Sequence, residues 1–394
     1  MARRVILNIT YTKKYGGGEE SLKDIILTLK NNYEVKLLAP EGTLTKRLKE
    51  KIPIIISKGI GQLDRKNNKL WILSLGLRYI ISFFEVYRAI RKLNPDIVHC
   101  FSEIALFYTA LPAMVLGKKI VCNIHNVMPK NVFWERLSLL MGKFVSNYMA
   151  VSLVVKKRLV EIGHDPQKII VLYNKIDFGN GINAEKVPFG VFREKICLRY
   201  TDFIVGTIGA VYPLKGQHIF LEAINLLKQE KGLPENSKFL IVGGSRGSDD
   251  KPYWDELKAF IRRNELADRV VLTDNIDHDV VPYALRDMNV FVFCSILPDA
   301  FPRVTLEAMG MGKVVIAANI GGVPEQIEDG VSGILYEPGN AEELAGNIKS
   351  VMDNFPKMND MGMKANEVVV KRFSHEIFQK NLFAIFNEIM ESRV

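Results

Sequence analysis

Asp299 and Glu307 are two carboxylates with seven residues between them, in a stretch that reads PDAFPRVTLEAMGMGKVVIAANIGGVPEQIEDGVSGILYEPG over 298–339. Asp299 follows an apolar run and belongs in a loop. Glu307 is expected to open a helix, because Leu306, Glu307, Ala308 and Met309 are good helix formers. The amides of Val304 and Thr305 then lie at a helix N-terminus, where unpaired N–H groups and the helix dipole favour an anion. A diphosphate held there leaves Glu307 free to accept hydrogen bonds from a ribose diol, and Asp299 free to meet the hydroxyls of an attached sugar. Taken alone, the carboxylate pair is better explained by a first-turn acid that the helix dipole stabilises. Gly16, Gly17 and Gly18 form a second candidate site: a glycine run lets backbone approach a diphosphate closely, or simply makes a tight turn.

The four cysteines, Cys100, Cys122, Cys197 and Cys294, are far apart, with no CxxC pair or zinc spacing. The aspartates are scattered. No metal and no other cofactor is therefore expected, and the cysteine usage fits a reducing compartment. The chain has 394 residues, enough for two or three domains. With 48% hydrophobic and 25% charged residues it has ordinary globular composition, which excludes a disordered chain; its unperiodic glycines and prolines exclude a collagen-like or coiled-coil filament. The apolar run at 5–9 is too short for a signal peptide. The longest apolar stretch, 70–84, contains Arg78 and is shorter than the roughly 20 residues a spanning helix needs. A cytoplasmic protein is expected.

The net charge of +9 is unevenly spread. Residues 1–175 hold 29 Lys and Arg against 13 Asp and Glu, a balance of +16, and the remainder carries −7. A basic first half beside a mildly acidic second half suggests that the first half faces something anionic, unless it is only a solvated lysine surface. Two segments mix aromatic and basic residues. Residues 70–93 include Trp71, Tyr79, Phe83, Phe84 and Tyr87 with Arg78, Arg88, Arg91 and Lys92; residues 131–144 include Phe133, Trp134, Arg136 and Lys143. Both suit contact with an anionic membrane surface. Burial as a crossover helix is at least as good a reading for 70–93 and an equal one for 131–144.

The elements that must position these groups alternate. Strands are expected at 4–9, 33–38, 54–56, 97–99, 119–123, 148–151 and 169–172, and again at 203–209, 239–242, 270–273, 290–293 and 314–317. Helical stripes separate them: Leu22, Ile25, Ile26 and Leu29 mark one buried face, and Ile219, Phe220, Ala223, Ile224 and Leu227 another. Residues 70–93 read as a long helix stopped by Asn94-Pro95. Strands separated by helices imply parallel sheets. The fold class is α/β: two doubly wound, Rossmann-like parallel-sheet domains facing a cleft. Ligands are expected at the carboxyl ends of the strands. The domains are read as 1–175 and 201–372, joined by a linker at 176–200, with a C-terminal helix at 373–394 that can pack back on the first domain.

The stretch at 298–339 resembles the signature of glycosyltransferase family 4, the retaining, nucleotide-sugar-dependent enzymes of GT-B architecture. The family pattern is Glu, seven residues, Glu, then Ala-Met, a Gly, an apolar strand, Gly-Gly-Val-Pro-Glu and a Gly-x-x-Gly turn. Its counterparts here are Asp299, Glu307, Ala308-Met309, Gly312, the run at 314–317, Gly321-Gly322-Val323-Pro324-Glu325 and Gly330-Val331-Ser332-Gly333. The resemblance runs over nearly the whole chain. Gly16-Gly17-Gly18-Glu19, Pro95-Asp96-Ile97-Val98-His99, Asn123-Ile124-His125-Asn126, Lys215-Gly216 and Ile241-Val242-Gly243-Gly244 each match a family segment. Three positions depart from it: Asp299 replaces Glu, Ala210 replaces Arg, and Lys175 replaces Gly.

By this resemblance Lys215 contacts the donor diphosphate, as a compact point charge suits. His125 lies beside the donor sugar, while His99 is read as a structural strand-end residue. Arg303, or failing it Arg246, stands in for the arginine missing at Ala210, and residues 275–279 lie near the base. Catalysis falls to His125 and Asp299. Substrate binding falls to Gly16, Gly17, Lys215, Arg303, Val304, Thr305 and Glu307. The resemblance further implies same-face displacement, with the departing phosphate oxygen helping to take the acceptor proton. The expected function is transfer of a hexose from a UDP- or GDP-linked sugar to a saccharide or lipid-linked acceptor in bacterial cell-surface polysaccharide or glycolipid synthesis, at or near an anionic membrane. A nucleotide-sugar epimerase on the same architecture is the alternative. A nucleic-acid partner is not expected, because it leaves the donor motifs unexplained.

Overall fold

The computed structural model describes residues 3–13, 15–61, 71–176, 186–245 and 247–392. They form two compact units, the first made of Met1–Lys175 with Phe378–Val394 and the second of Ile176–Ile377.

The first unit alternates β1 (Val5–Ile9), α1 (Gly17–Leu29), β2 (Glu34–Ala39), α2 (Thr43–Leu48), β3 (Ile54–Ile56), α3 (Trp71–Leu93), β4 (Ile97–Phe101), α4 (Glu103–Val115), β5 (Lys119–Ile124), α5 (Val132–Gly142), β6 (Asn147–Ala150), α6 (Leu153–Ile162) and β7 (Ile169–Val171). The strands make one seven-stranded sheet in the order β3-β2-β1-β4-β5-β6-β7. All neighbours are parallel; β1 sits between β2 and β4, with Asn8 opposite Leu37 and His99. Chain order reverses between β1 and β4, which makes the carboxyl ends of those strands the unit's switch point. β4 is buried along its whole length, as a strand covered on both faces must be. Leu22, Ile25, Ile26 and Leu29 of α1 are buried as their spacing requires.

The amphipathic segments resolve into definite faces. On α3, Val86, Ala89 and Ile90 are buried, while Leu77, Ile80, Ile81 and Phe84 are exposed at i, i+3, i+4 and i+7. Exposed Arg88, Arg91 and Lys92 continue the same stripe. The helix therefore packs as a crossover and still presents an apolar, basic-ended face. On α5, Phe133, Trp134, Arg136, Leu140 and Lys143 are all exposed, and Phe133 retains 68% of its surface. Among the described residues no helix is long and apolar enough to cross a membrane.

The second unit contains α7 (Val191–Lys195), β8 (Phe203–Ile208), α8 (Gln217–Gln229), β9 (Ser237–Val242), α9 (Lys251–Arg263), β10 (Val270–Leu272), α10 (Val281–Asp287), β11 (Val290–Phe293), α11 (Arg303–Gly310), β12 (Val314–Ala318), β13 (Ile334–Tyr336), α12 (Ala341–Asp353) and α13 (Phe355–Phe373). Its six parallel strands run β10-β9-β8-β11-β12-β13, so the switch point lies between β8 and β11. Three residues long, β13 carries no period of its own; it is recruited by pairing Ile334–Tyr336 with the end of β12. α7 lies inside the segment expected to be a linker. Its first amides donate to the buried Asp287 carboxylate, Phe192 and Arg193 each at 2.8 Å.

α14 (His375–Glu391) ends the chain. Its Phe378, Leu382, Ile385, Phe386 and Ile389 join the first unit's core beside Ile6, Ile97 and Phe101.

Candidate active site

In the second unit the loops after β8, β9, β11 and β12 all leave the same edge of the sheet and touch one another. After β8 the chain makes a short turn, Pro213–Lys215, and enters α8 through Gly216. Gly216 has φ +69°, and a Cβ there would lie 1.8 Å from the Cys294 carbonyl oxygen. Only glycine lets the Lys215 turn lie against the end of β11. The Ile296 amide bonds Leu214 O at 3.1 Å across the same join. The result is direct contact between two of the expected site residues: Lys215 Nζ is 2.7 Å from Asp299 Oδ2. Burial works against the lysine's charge, but the neighbouring Asp299 carboxylate outweighs it and holds the ammonium above its ordinary value. Both side chains keep about a quarter of their surface, 25% and 28%. A pair that open contributes at most about 1 kcal/mol, so an incoming diphosphate can separate it.

Asp299 is fixed from its other side by the Gly321-Gly322 pair. The Gly322 amide donates to Asp299 O at 2.9 Å. A Cβ on Gly321, where φ is +62°, would lie 2.1 Å from that same oxygen. The glycine pair is thus the device that presses the loop after β12 onto the acidic loop after β11.

α11 begins at Arg303, so Glu307 sits in its second turn and does not open it. Pro302 precedes it without a side-chain cap. Val304 and Arg303 are half-buried. Thr305 is fully buried, with 0% of its surface exposed, and its hydroxyl has no hydrogen-bond partner among the described residues. It can reach an anion through the terminal dipole but not by contact in this conformation. Glu307 Oε1 is 3.5 Å from His278 Nε2, so the 275–279 segment does reach the second acid. Asn275 in the same segment accepts the Gly244 amide at 3.1 Å and steadies the loop after β9. The sequence placed residues 275–279 near the base as a segment and gave His278 and Asn275 no separate role. Asp277-His278-Asp279 is also an Asp-x-Asp spacing. Among the described residues no three His, Cys, Asp or Glu side chains are grouped as a metal ion needs. Arg246 lies outside the described residues.

The first unit's edge carries a looser set. Gly16 caps α1 and Gly17 is its first residue, so the glycines begin the helix and do not precede it. Glu19 folds back against them: a Cβ on Gly16 would meet Glu19 Oε2 at 3.5 Å, and burial raises that carboxyl above its usual range. His125 follows β5, half-buried, with its ring centroid 4.3 Å from that of Phe101. His99 is a different kind of residue. It is fully buried in β4, its Nδ1–H donates to Asn8 Oδ1 at 2.7 Å, and burial pushes it down to about 3. A neutral histidine bonded inside the sheet is structural. Lys175 is nearly buried, with Nζ 3.4 Å from Asp24 Oδ1 on α1.

The comparisons with known proteins follow the same division. Residues 15–179 match the model of Glycosyltransferase Family 4, and residues 191–368 match that of Glycosyl transferases group 1. A D-inositol 3-phosphate glycosyltransferase of Segniliparus rotundus is 28% identical over 241 residues, 59% of this chain and 51% of that one. The capsular polysaccharide biosynthesis glycosyltransferase CapM of Staphylococcus aureus is 25% identical over 217 residues, 54% of each chain. The chain thus spans about half the length of these two relatives. Among solved structures, Anabaena Alr3699/HepE in complex with UDP superposes with a TM-score of 0.83 at 22% identity, covering 98% of this chain and 100% of that one.

Proposed function

The chain is a GT-B glycosyltransferase, a family 4 domain followed by a group 1 domain, and on that premise we propose that it moves a hexosyl group, with retention, from a UDP- or GDP-linked sugar to a saccharide or lipid-linked acceptor. The observation that carries the donor half is the Lys215–Asp299 contact at the switch point beside the start of α11. A diphosphate takes Lys215 from Asp299 and adds the dipole at Val304. Asp299, released from its cation, is then left to accept hydrogen bonds from the sugar. Glu307, held near His278, takes the ribose. Arg303, first in α11, adds a second positive charge in place of the arginine missing at Ala210. Preorganised charges of this kind act on the leaving diphosphate without a metal. His125 is the residue that the family resemblance assigns to the donor sugar. HepE's complexes with UDP and with UDP-glucose support a uridine nucleotide donor.

The acceptor half rests on the first unit. Its +16 balance over residues 1–175 and the exposed aromatic, apolar and basic faces of α3 and α5 support an anionic membrane as the place where the acceptor is met. Similarity to CapM supports cell-surface polysaccharide or glycolipid synthesis. Thermal melts against UDP-, GDP- and ADP-linked sugars test the donor, since a ligand of the native state must raise its stability. No shift with any of them overturns the proposal.

A further inference from the structure

Glu307, the acid proposed to take the ribose, is not steadied by its own helix. It is the one acid of α11, with 12% of its side chain exposed. Among the described residues none hydrogen-bonds its carboxylate, and the one basic group within 4 Å is His278, whose Nε2 lies 3.5 Å from Oε1. That distance is too long for a hydrogen bond. A carboxylate so enclosed is costly until N–H or O–H groups reach it. Polar contacts that are long without a ligand commonly tighten in the complex.

His278 is held independently of α11. It lies in the turn after β10, where the Val280 amide donates to Asp277 O at 2.9 Å. That turn is fastened to the loop after β9. Asn275 spends both ends of its side-chain amide there: Oδ1 accepts the Gly244 amide at 3.1 Å, and Nδ2 donates to Ser245 O at 3.3 Å. A Cβ on Gly244 would lie 3.0 Å from the Asn275 amide nitrogen, so the two loops touch closely. Beside them, Thr273 Oγ1 accepts the Gly243 amide at 3.1 Å. Asn275 is thus committed to the protein, and His278 is the residue of this turn that reaches α11. Its side chain keeps 38% of its surface, so the ring can shift without disturbing a core.

We infer that His278 is a positioning residue of the nucleotide site: its Nε2–H donates to Glu307 Oε1 when a nucleotide binds, which turns the carboxylate towards the ribose diol and makes the site select ribose over deoxyribose. The inference rests on the reading of Glu307 as the ribose acceptor and adds the group that aims it. No proton is transferred, because the neutral ring protonated at Nε2 and the imidazolium both supply the donor. A site built to bond a hydroxyl rejects an analogue that lacks it, since the site's own polar groups are then left unpaired.

The test measures, by calorimetry on the full chain, binding of UDP and GDP and of their 2′,3′-dideoxy analogues. Each analogue keeps the base and the diphosphate and lacks only the diol. The wild type should bind the natural nucleotide about tenfold or more tightly than its analogue, and Glu307→Ala should abolish that preference. His278→Leu should reduce the preference about threefold by weakening the natural nucleotide alone. Unchanged affinity for the analogue shows that the site is still folded. His278→Gln, whose amide offers a donor at similar reach, should restore the preference. Equal weakening of nucleotide and analogue in His278→Leu makes His278 a contact to base or diphosphate, or a residue of the fold, and overturns the inference. An unchanged preference in His278→Leu overturns it as well. A wild type that binds without any preference, or a Glu307→Ala variant that keeps it, shows instead that Glu307 does not take the ribose. A wild type that binds neither nucleotide removes the donor reading. In each of these cases the proposed function fails first and the inference falls with it.

Discussion

In the second unit the loops at the strand ends meet backbone to backbone through glycines, whereas in the first one such contact, Gly42 against Lys13 O, stands beside a turn at Gly16 that is held by side chains. Gly216 lies against Cys294 O and Gly321 against Asp299 O, each where a methyl group cannot fit. At the first unit's edge, a Cβ on Gly16 or Gly18 would make only ordinary contacts, at 3.5 and 4.0 Å. There Phe101 packs on His125, Ser102 caps α4 and Glu19 folds back over Gly16. A loop packed by backbone contact tolerates one residue type, so it leaves a fixed mark on the sequence. A loop packed by side chains can be built in many ways, so it leaves no such mark.

The largest effect expected from this contrast is on stability. Gly216→Ala combines a positive φ with a carbonyl clash and should cost about 3 kcal/mol, seen as a fall in the urea midpoint. Gly16→Ala, at extended φ −160°, should cost less than about 1 kcal/mol. Equal losses would break the comparison. Next, His125→Ala should lower turnover about 10²-fold while UDP affinity holds; a matching loss of UDP affinity would move His125 out of its sugar-side role. Lys215→Ala should weaken nucleotide-sugar binding by about 1–3 kcal/mol. Asp299→Asn should leave that affinity equal or slightly higher, because it frees Lys215, yet lower turnover. Calorimetry on the two variants separates a diphosphate lysine from a merely paired one. Replacing Lys130, Arg136 and Lys143 with Glu should remove about 1 kcal/mol of membrane attraction per lost cation. Flotation with acidic vesicles should fall, and fall further with salt, while donor affinity stays constant. Equal flotation on neutral and acidic vesicles would leave the basic half as solubility alone. The smallest effect concerns metals: EDTA should leave turnover unchanged, and activity restored only by Mg²⁺ or Mn²⁺ would reverse that expectation.

Two parallel sheets and the order of their elements were legible from residue types, because alternating apolar runs and helix stripes each express one local constraint. The match of 298–339 to a family pattern worked for the same reason: Gly321-Gly322 and Lys215-Gly216 are sequence marks of backbone contacts. Local propensity placed the start of α11 too late, since Arg303 and Val304 extend the helix once Pro302 sets its entry. It also missed β13, which is too short to have a period and exists by pairing with β12. What only the tertiary structure decided is how side chains remote in sequence are partnered. Lys215 and Asp299, 84 residues apart, share a hydrogen bond. Glu307 meets His278 from another loop. Which face of α3 stays open follows from what the other face covers. Glu103 looked like any first-turn acid in the sequence. Its carboxyl is pushed up to about 7 only when β4, β5 and β6 stand side by side, because desolvation is a property of neighbours and not of the residue itself.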